Sequence, residues 1–241
     1  MTSVIRRSPT HIGQVVGTAQ LTPRMRRVSV RADAMVGIEL RPAQDVELHL
    51  ADGTGRRVKR RYTIRAARPE SGELDLDVLL HGEGPGSTWG ANAAPGDQIT
   101  FQGPRGKLEL TSAAWHVLAG DESALPAIAA IGQALPADEP AIAVIEVQDG
   151  SDELPLPGVE VRWVHRNDGP PGTPEHLVPA VESLVLPDGS GHGYLMGETR
   201  SMVALRAVLE RRGLGHDAIF VKGYWNIGRP DRIAGRVPRE G

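Results

Sequence analysis

The chain has 241 residues, 40% of them apolar, enough to bury one large core or two modest units of about 100 to 130 residues. Its formal net charge of −3 offers no general attraction to nucleic acid. It has no cysteine, so neither a disulfide framework nor a cysteine-held iron–sulfur cluster can form.

The opening MTSVIRRSPT is too polar for a secretory segment, and no apolar run approaches the roughly 18 residues of a membrane span, so a cytoplasmic protein that stays off membranes is expected. Short alternating segments follow, each bounded by Pro, Gly or Asp turns: GQVVGTAQL, MRRVSVRA, DVELHLAD, RYTIRAA, ELDLDVLLH and DQITFQG. Six such strands suit a closed antiparallel barrel. Ahead of the fourth lies RRVKRR, residues 56–61, equally a hairpin flank or a binding patch.

That fourth strand carries Arg60, Tyr62 and Thr63. A forked cation, a flat amphipathic ring and a hydroxyl in close sequence suit phosphate, an aromatic heterocycle and its polar edge, although an ordinary solvated edge strand uses the same residues. The fifth strand runs through His81 into Gly84, Pro85, Gly86, Ser87 and Thr88, and STWGANAA opens a short helix. Glycines admit backbone N–H groups to an anion, and a helix N-terminus favours a diphosphate; a plain turn capped by Ser87, with His81 bonding its backbone, fits equally.

Near residue 111 the period changes. WHVLAGD, SALPAIAAIGQAL, AIAVIEV, VEVRWVHR, GYLMGE, TRSMVALRAVLERRG and AIFVKGYW alternate strand with helix, the signature of a parallel sheet under covering helices. The division is placed at 1–112 and 113–241, with Thr111 and Ser112 in the linker. No GxGxxG is present. Ligands of open parallel sheets bind beyond the strand carboxyl ends, which nominates Gly120, Asp121 and Glu122 after the first strand and Glu146 at the second, the last as a ribose acceptor or a solvated rim residue. Thr199 is the expected cap of the last helix, with Arg200 beside it. The final strand delivers Lys222, Gly223, Tyr224 and Trp225. Eight histidines form no close pair, so no metal site is expected.

Taken together, Arg60-Arg61-Tyr62-Thr63 with Arg65, His81-Gly82, Gly84-Pro85-Gly86-Ser87-Thr88-Trp89, Gly96-Asp97, Gly103-Pro104-Arg105-Gly106, the run from Gly120 to Ile128 and Gly223-Tyr224-Trp225 resemble, in order and spacing, the siderophore-interacting, FAD-binding family of ferric-siderophore reductases. Gly86 departs from the alanine common there. The resemblance implies a flavin-binding barrel followed by a nicotinamide-binding domain. FAD would meet Arg60, Tyr62, Thr63, His81, Gly84, Gly86, Ser87 and Thr88. NADPH or NADH would meet Gly120, Asp121, Glu122 and Glu146, with Tyr224 and Trp225 bordering the flavin. Arg65, Arg105 and Lys222 would attract an anionic ferric siderophore or similar small chelate. The expected activity is NAD(P)H-dependent, FAD-mediated ferric-chelate reduction by a monomer with no side-chain acid or base. A general flavin reductase and a non-enzymatic siderophore carrier are the competing readings.

Overall fold

The computed structural model describes residues 9–228. These fall into two compact units, one ending at Glu109 and the other beginning at Leu110.

The first unit is a closed six-stranded antiparallel barrel. Its strands are β1 (Thr10–Thr22), β2 (Met25–Arg31), β3 (Asp45–Ala51), β4 (Arg57–Arg68), β5 (Glu73–Leu79) and β6 (Gln98–Arg105), closed in the order β1-β2-β5-β4-β3-β6. One short helix, α1 (Pro85–Asn92), joins β5 to β6. The two-residue period puts Val28, Val30, Val46, Leu48, Leu76, Val78, Ile99 and Phe101 inside. Outward positions carry charge: Arg27 pairs with Asp77 at 2.7 Å, and Arg68 with Asp75 at 2.8 Å. A register shift between Ile64 and Ala66 bends β4 just after the Arg-Tyr-Thr segment.

The second unit is a five-stranded parallel sheet in the order β11-β10-β7-β8-β9. Its elements are β7 (Trp115–Asp121), α2 (Leu125–Ala134), β8 (Ala141–Val147), β9 (Glu160–His165), α3 (Pro174–Glu182), β10 (Gly191–Glu198), α4 (Thr199–Arg211) and β11 (Ile219–Trp225). β7 is buried at every position, as a central parallel strand covered on both faces must be. One core cluster joins Val117, Ala119 and Leu195 of the sheet to Leu177 and Val181 of α3 and Met202, Leu205 and Leu209 of α4. Residues 111–113 are tied to this unit: Thr111 N donates to the Tyr194 hydroxyl, while the Ser112 hydroxyl and Ala113 N donate to Glu139, which His116 Nε2 also meets at 2.7 Å.

The sequence pattern did not disclose α3. Its nine residues include Pro179, and only Leu177 and Val181 are buried, so the apolar stripe is one pair at i, i+4. Among the described residues no helix is long and apolar enough to cross a membrane.

Candidate flavin cradle and sheet-edge crevice

In the barrel, β4 lies against β3 with Arg60 opposite Leu48, Tyr62 opposite Val46 and Thr63 opposite Asp45. Paired residues share a face, so Arg60 and Tyr62 point one way and Thr63 the other, into the outward row with Glu47 and Asp45. The three expected neighbours are therefore divided between faces. Thr63 is buried, and Arg60 Nη1 donates to the Lys59 carbonyl at 2.9 Å. The Tyr62 ring lies 5.9 Å from that of Trp89, and burial pushes its phenol well above the usual range despite Arg60 nearby.

Above Tyr62 sits the first turn of α1. Its N-cap is Gly84, which offers no side chain, and Pro85 occupies the first helical position. Ser87 lies within the helix and is not the cap that the turn pattern suggests. The residue is 7% exposed, and its hydroxyl makes no hydrogen bond to the described residues. The exposed Thr88 donates to the Glu83 carbonyl at 3.4 Å. An uncapped helix start beside a hydroxyl not engaged within the barrel is a cradle that suits a phosphate group. It is the observation by which these residues fit FAD. His81 lies exposed beyond β5 and bonds no turn backbone among the described residues.

Two of the three expected substrate cations are already engaged. Arg105 pairs with Glu47 at 2.8 Å and approaches Asp45 at 3.8 Å. Burial pushes Glu47 up, but Lys59 and Arg105 outweigh it and hold its carboxyl at about 2. Arg65 is half-buried beside Asp77, Asp75 and Arg27, and that burial lowers its pKa. Arg105 is thus paired with the barrel's own acids, and Arg65 is half-buried near them.

The second unit reverses direction at β7: β8 and β9 extend the sheet one way, β10 and β11 the other, so the switch-point crevice lies beyond the ends of β7 and β10. The acidic candidates there face inward. Asp121 takes four donors: Ser123 N at 2.9 Å, the Ser123 hydroxyl, Glu198 N at 2.7 Å and Trp225 Nε1 at 2.9 Å. Burial raises its pKa, and these bonds oppose the shift. Glu122 accepts from Gln148 N at 2.7 Å and from Arg166 at 3.1 Å. Gly120 has no room for a side chain, because a Cβ would stand 2.0 Å from the Met196 carbonyl oxygen.

Glu146 is neither a ribose acceptor on display nor a rim residue: it is 0% exposed, accepts from Gly172 N at 2.9 Å and meets His176 Nδ1 at 3.1 Å. Gly172 holds φ at +71° with the Trp225 ring packed where its Cβ would go, and its carbonyl takes the Ser201 hydroxyl at 2.7 Å.

The expected cap of α4 is also corrected. Glu198 is the N-cap, accepting from Arg200 N at 2.6 Å and Ser201 N at 3.0 Å, while Thr199 donates its hydroxyl to the Trp225 carbonyl at 3.0 Å. Sequence reasoning missed Glu198 because cap preference favours the shorter Ser, Thr, Asp and Asn. The start of α4 and the turn that precedes α2 are thus met by the chain's own carboxylates, so the side chains of Asp121, Glu122, Glu146 and Glu198 do not fit a dinucleotide diphosphate. On β11, Lys222 Nζ lies 5.1 Å from the Tyr224 ring centroid, and Tyr224 donates to Met196 Sδ at 3.6 Å. Among the described residues no group of three or more His, Asp or Glu side chains is arranged to hold a metal.

An antiparallel barrel with an uncapped helix at its phosphate-type turn, followed in the chain by a parallel five-stranded sheet, defines the ferredoxin-reductase-like flavoprotein fold. Residues 39–108 match the model of the siderophore-interacting FAD-binding domain, and residues 113–228 that of the siderophore-interacting protein. The chain belongs to the siderophore-interacting protein family. It is 36% identical over 180 residues to the ferric vibriobactin reductase ViuB of Vibrio cholerae, an alignment covering 71% of this chain and 66% of that protein. A siderophore utilization protein from T. fusca superposes with a TM-score of 0.86 at 32% identity, over 96% of this chain and 98% of the other. The siderophore-interacting protein SipS from Aeromonas hydrophila gives 0.76 at 27%, over 92% and 93%.

Proposed function

We propose that this protein reduces ferric siderophores or related ferric chelates, with FAD held by the barrel and NADPH or NADH as electron donor. The observation that carries the reading is the cradle at α1, with the uncapped Gly84 turn and the Ser87 hydroxyl beside Arg60, in a chain whose relative is a ferric vibriobactin reductase. Bound FAD would supply a carrier that accepts an electron pair and returns it one electron at a time.

The protein's own residues bind, orient and exclude water. Arg60, Ser87, Thr88 and the first-turn N–H groups of α1 hold phosphate, while Tyr62 and Trp89 furnish an aromatic wall that keeps solvent from the ring system. The sheet unit receives the donor through backbone and exposed cations, because its acids are spent internally. Lys222 is the expected cation for an anionic chelate. Overall, one NAD(P)H and two ferric ions give one NAD(P)⁺, one proton and two ferrous ions, so no residue need act as acid or base. The protein works as a monomer in the cytoplasm.

The test is the visible spectrum of the purified protein after incubation with FAD, followed by anaerobic mixing with NADH or NADPH and a panel of ferric chelates, ferrous iron being trapped by a chromogenic chelator. A yellow protein whose nicotinamide oxidation is accelerated by ferric chelates supports the proposal. Oxidation unaffected by chelates would instead mark a general flavin reductase. A protein that stays colourless, oxidises no nicotinamide and binds the chelate tightly would be a carrier.

A further inference from the structure

Arg26 faces the wrong way for a charged residue. On β2 it sits opposite Val78 of β5, and paired residues share a face, so it continues the inward row that Val28 and Val30 fill further along the strand. The alternate residues of β2 point outward, Arg27 to Asp77 and Ser29 to Asp75. Among the described residues Arg26 meets no carboxylate. Its guanidinium donates instead to the Gly90 carbonyl at 3.1 Å, the Ala93 carbonyl at 3.2 Å, the Ala91 carbonyl and the Thr18 hydroxyl at 3.1 Å. Three of these four acceptors are the last carbonyls of α1 and its cap. We propose that Arg26 is the positioning residue for α1: by binding the carbonyl end of the helix it fixes where the opposite end presents its N–H groups to the phosphate of FAD. The inference rests on the flavin reading of the barrel.

The sequence of α1 does not hold the helix by itself. PGSTWGAN is eight residues with two glycines and an asparagine, poor helix formers in a segment too short to be stable alone. The last four carbonyls of any helix need partners from outside its ladder. Here Ala93 N serves the Trp89 carbonyl, but the backbone of Ala93 is extended, so the chain makes no left-handed turn to bring further N–H groups back. The last turn also carries no basic residue. The cation that suits a helix carboxyl end arrives from β2, 64 residues before Gly90 in the chain. A planar fork with several donors serves neighbouring carbonyls together, as a lysine could not. Gly90 is fixed on its other side too, because a Cβ there would stand 2.4 Å from Val78 Cγ1, the residue opposite Arg26. Over a helix of about 12 Å, an anchor at one end sets the aim of the other.

The experiment compares Arg26→Met, which keeps the apolar stem and removes the fork, and Arg26→Lys, which keeps the charge, with the parent protein. Amide exchange in the flavin-free protein is followed at Thr88 and Ala93, whose N–H groups bond the Gly84 and Trp89 carbonyls. Calorimetric titration gives FAD affinity. Arg26→Met should speed exchange at both amides by about tenfold or more, at rates that urea below the unfolding transition leaves unchanged, the mark of local opening. It should weaken FAD by about tenfold, the scale of a partly buried cation at a helix end. Arg26→Lys should bind FAD within about threefold of the parent.

Parental exchange at Thr88 and Ala93 in Arg26→Met would overturn the proposal, as would faster exchange that rises with urea, since that follows unfolding of the whole barrel. Parental FAD affinity despite a loosened α1, or Arg26→Lys no better than Arg26→Met, would overturn it as well. If the parent takes up no FAD, the flavin reading fails by itself, and the exchange rates still decide whether Arg26 holds α1. If Arg26→Met does not fold, Arg26→Gln takes its place with the same outcomes.

Discussion

Arg60 faces the first turn of α1, and one of its bonds within the barrel goes to the carbonyl of the adjacent Lys59. Arg60→Ala should weaken FAD by ten- to hundredfold, the roughly 1.5 to 3 kcal/mol of one charged phosphate contact. Calorimetric titration checks it; unchanged affinity removes Arg60 from the cradle. His192 supplies a pH dependence remote from the crevice. It is 6% exposed, its ring 4.7 Å from that of Tyr194, and burial followed by the neighbouring His116 lowers its pKa. The unfolded chain therefore binds a proton near pH 6.5 that the folded chain refuses, so stability present above that pH is lost as pH falls toward the depressed folded value. Urea unfolding between pH 5 and 8 should show this slope, flattened in His192→Asn. Residue identity was legible in the sequence but direction was not: Asp121 and Glu146 stand where strand-end ligands stand, yet nothing in their spacing says that their carboxylates turn inward to Trp225, Ser123 and Gly172.

At the scale of elements, all six barrel strands could be read because each alternates core and outward positions between turn residues. The sheet strands were legible for a different reason, as continuous apolar runs such as β7 and β8. Where an element is defined by few contacts the pattern failed, as in α3, and where a cap uses an unusual residue it misplaced the boundary, as at Glu198. Glu198 binds the N–H groups of Arg200, Ser201 and Ile227, linking the start of α4 to the chain after β11. Glu198→Ala should cost about 1 to 2 kcal/mol in urea unfolding, the range of a lost helix cap, and should speed amide exchange at Arg200 and Ser201. Exchange at parental rates would show that α4 does not depend on this cap.

At the scale of the whole chain, the two units hold separate cores and separate halves of the proposed chemistry. Of the four tryptophans only Trp89 lies in the barrel unit, so its fluorescence follows that unit alone once Trp115, Trp163 and Trp225 are replaced by phenylalanine. With FAD at a hundredfold its dissociation constant, the barrel should gain about 2.7 kcal/mol against urea. No shift in the Trp89 transition would place the ligand elsewhere.

The bond from Asp121 to Trp225 joins positions 104 residues apart. During synthesis the loop after β7 emerges early, yet its fourth donor arrives only when β11 has left the ribosome. Until then the carboxylate at the heart of the sheet edge lacks the indole that helps hold it inward. β11 is thus the strand that completes the hydrogen bonding of the carboxylate beyond β7.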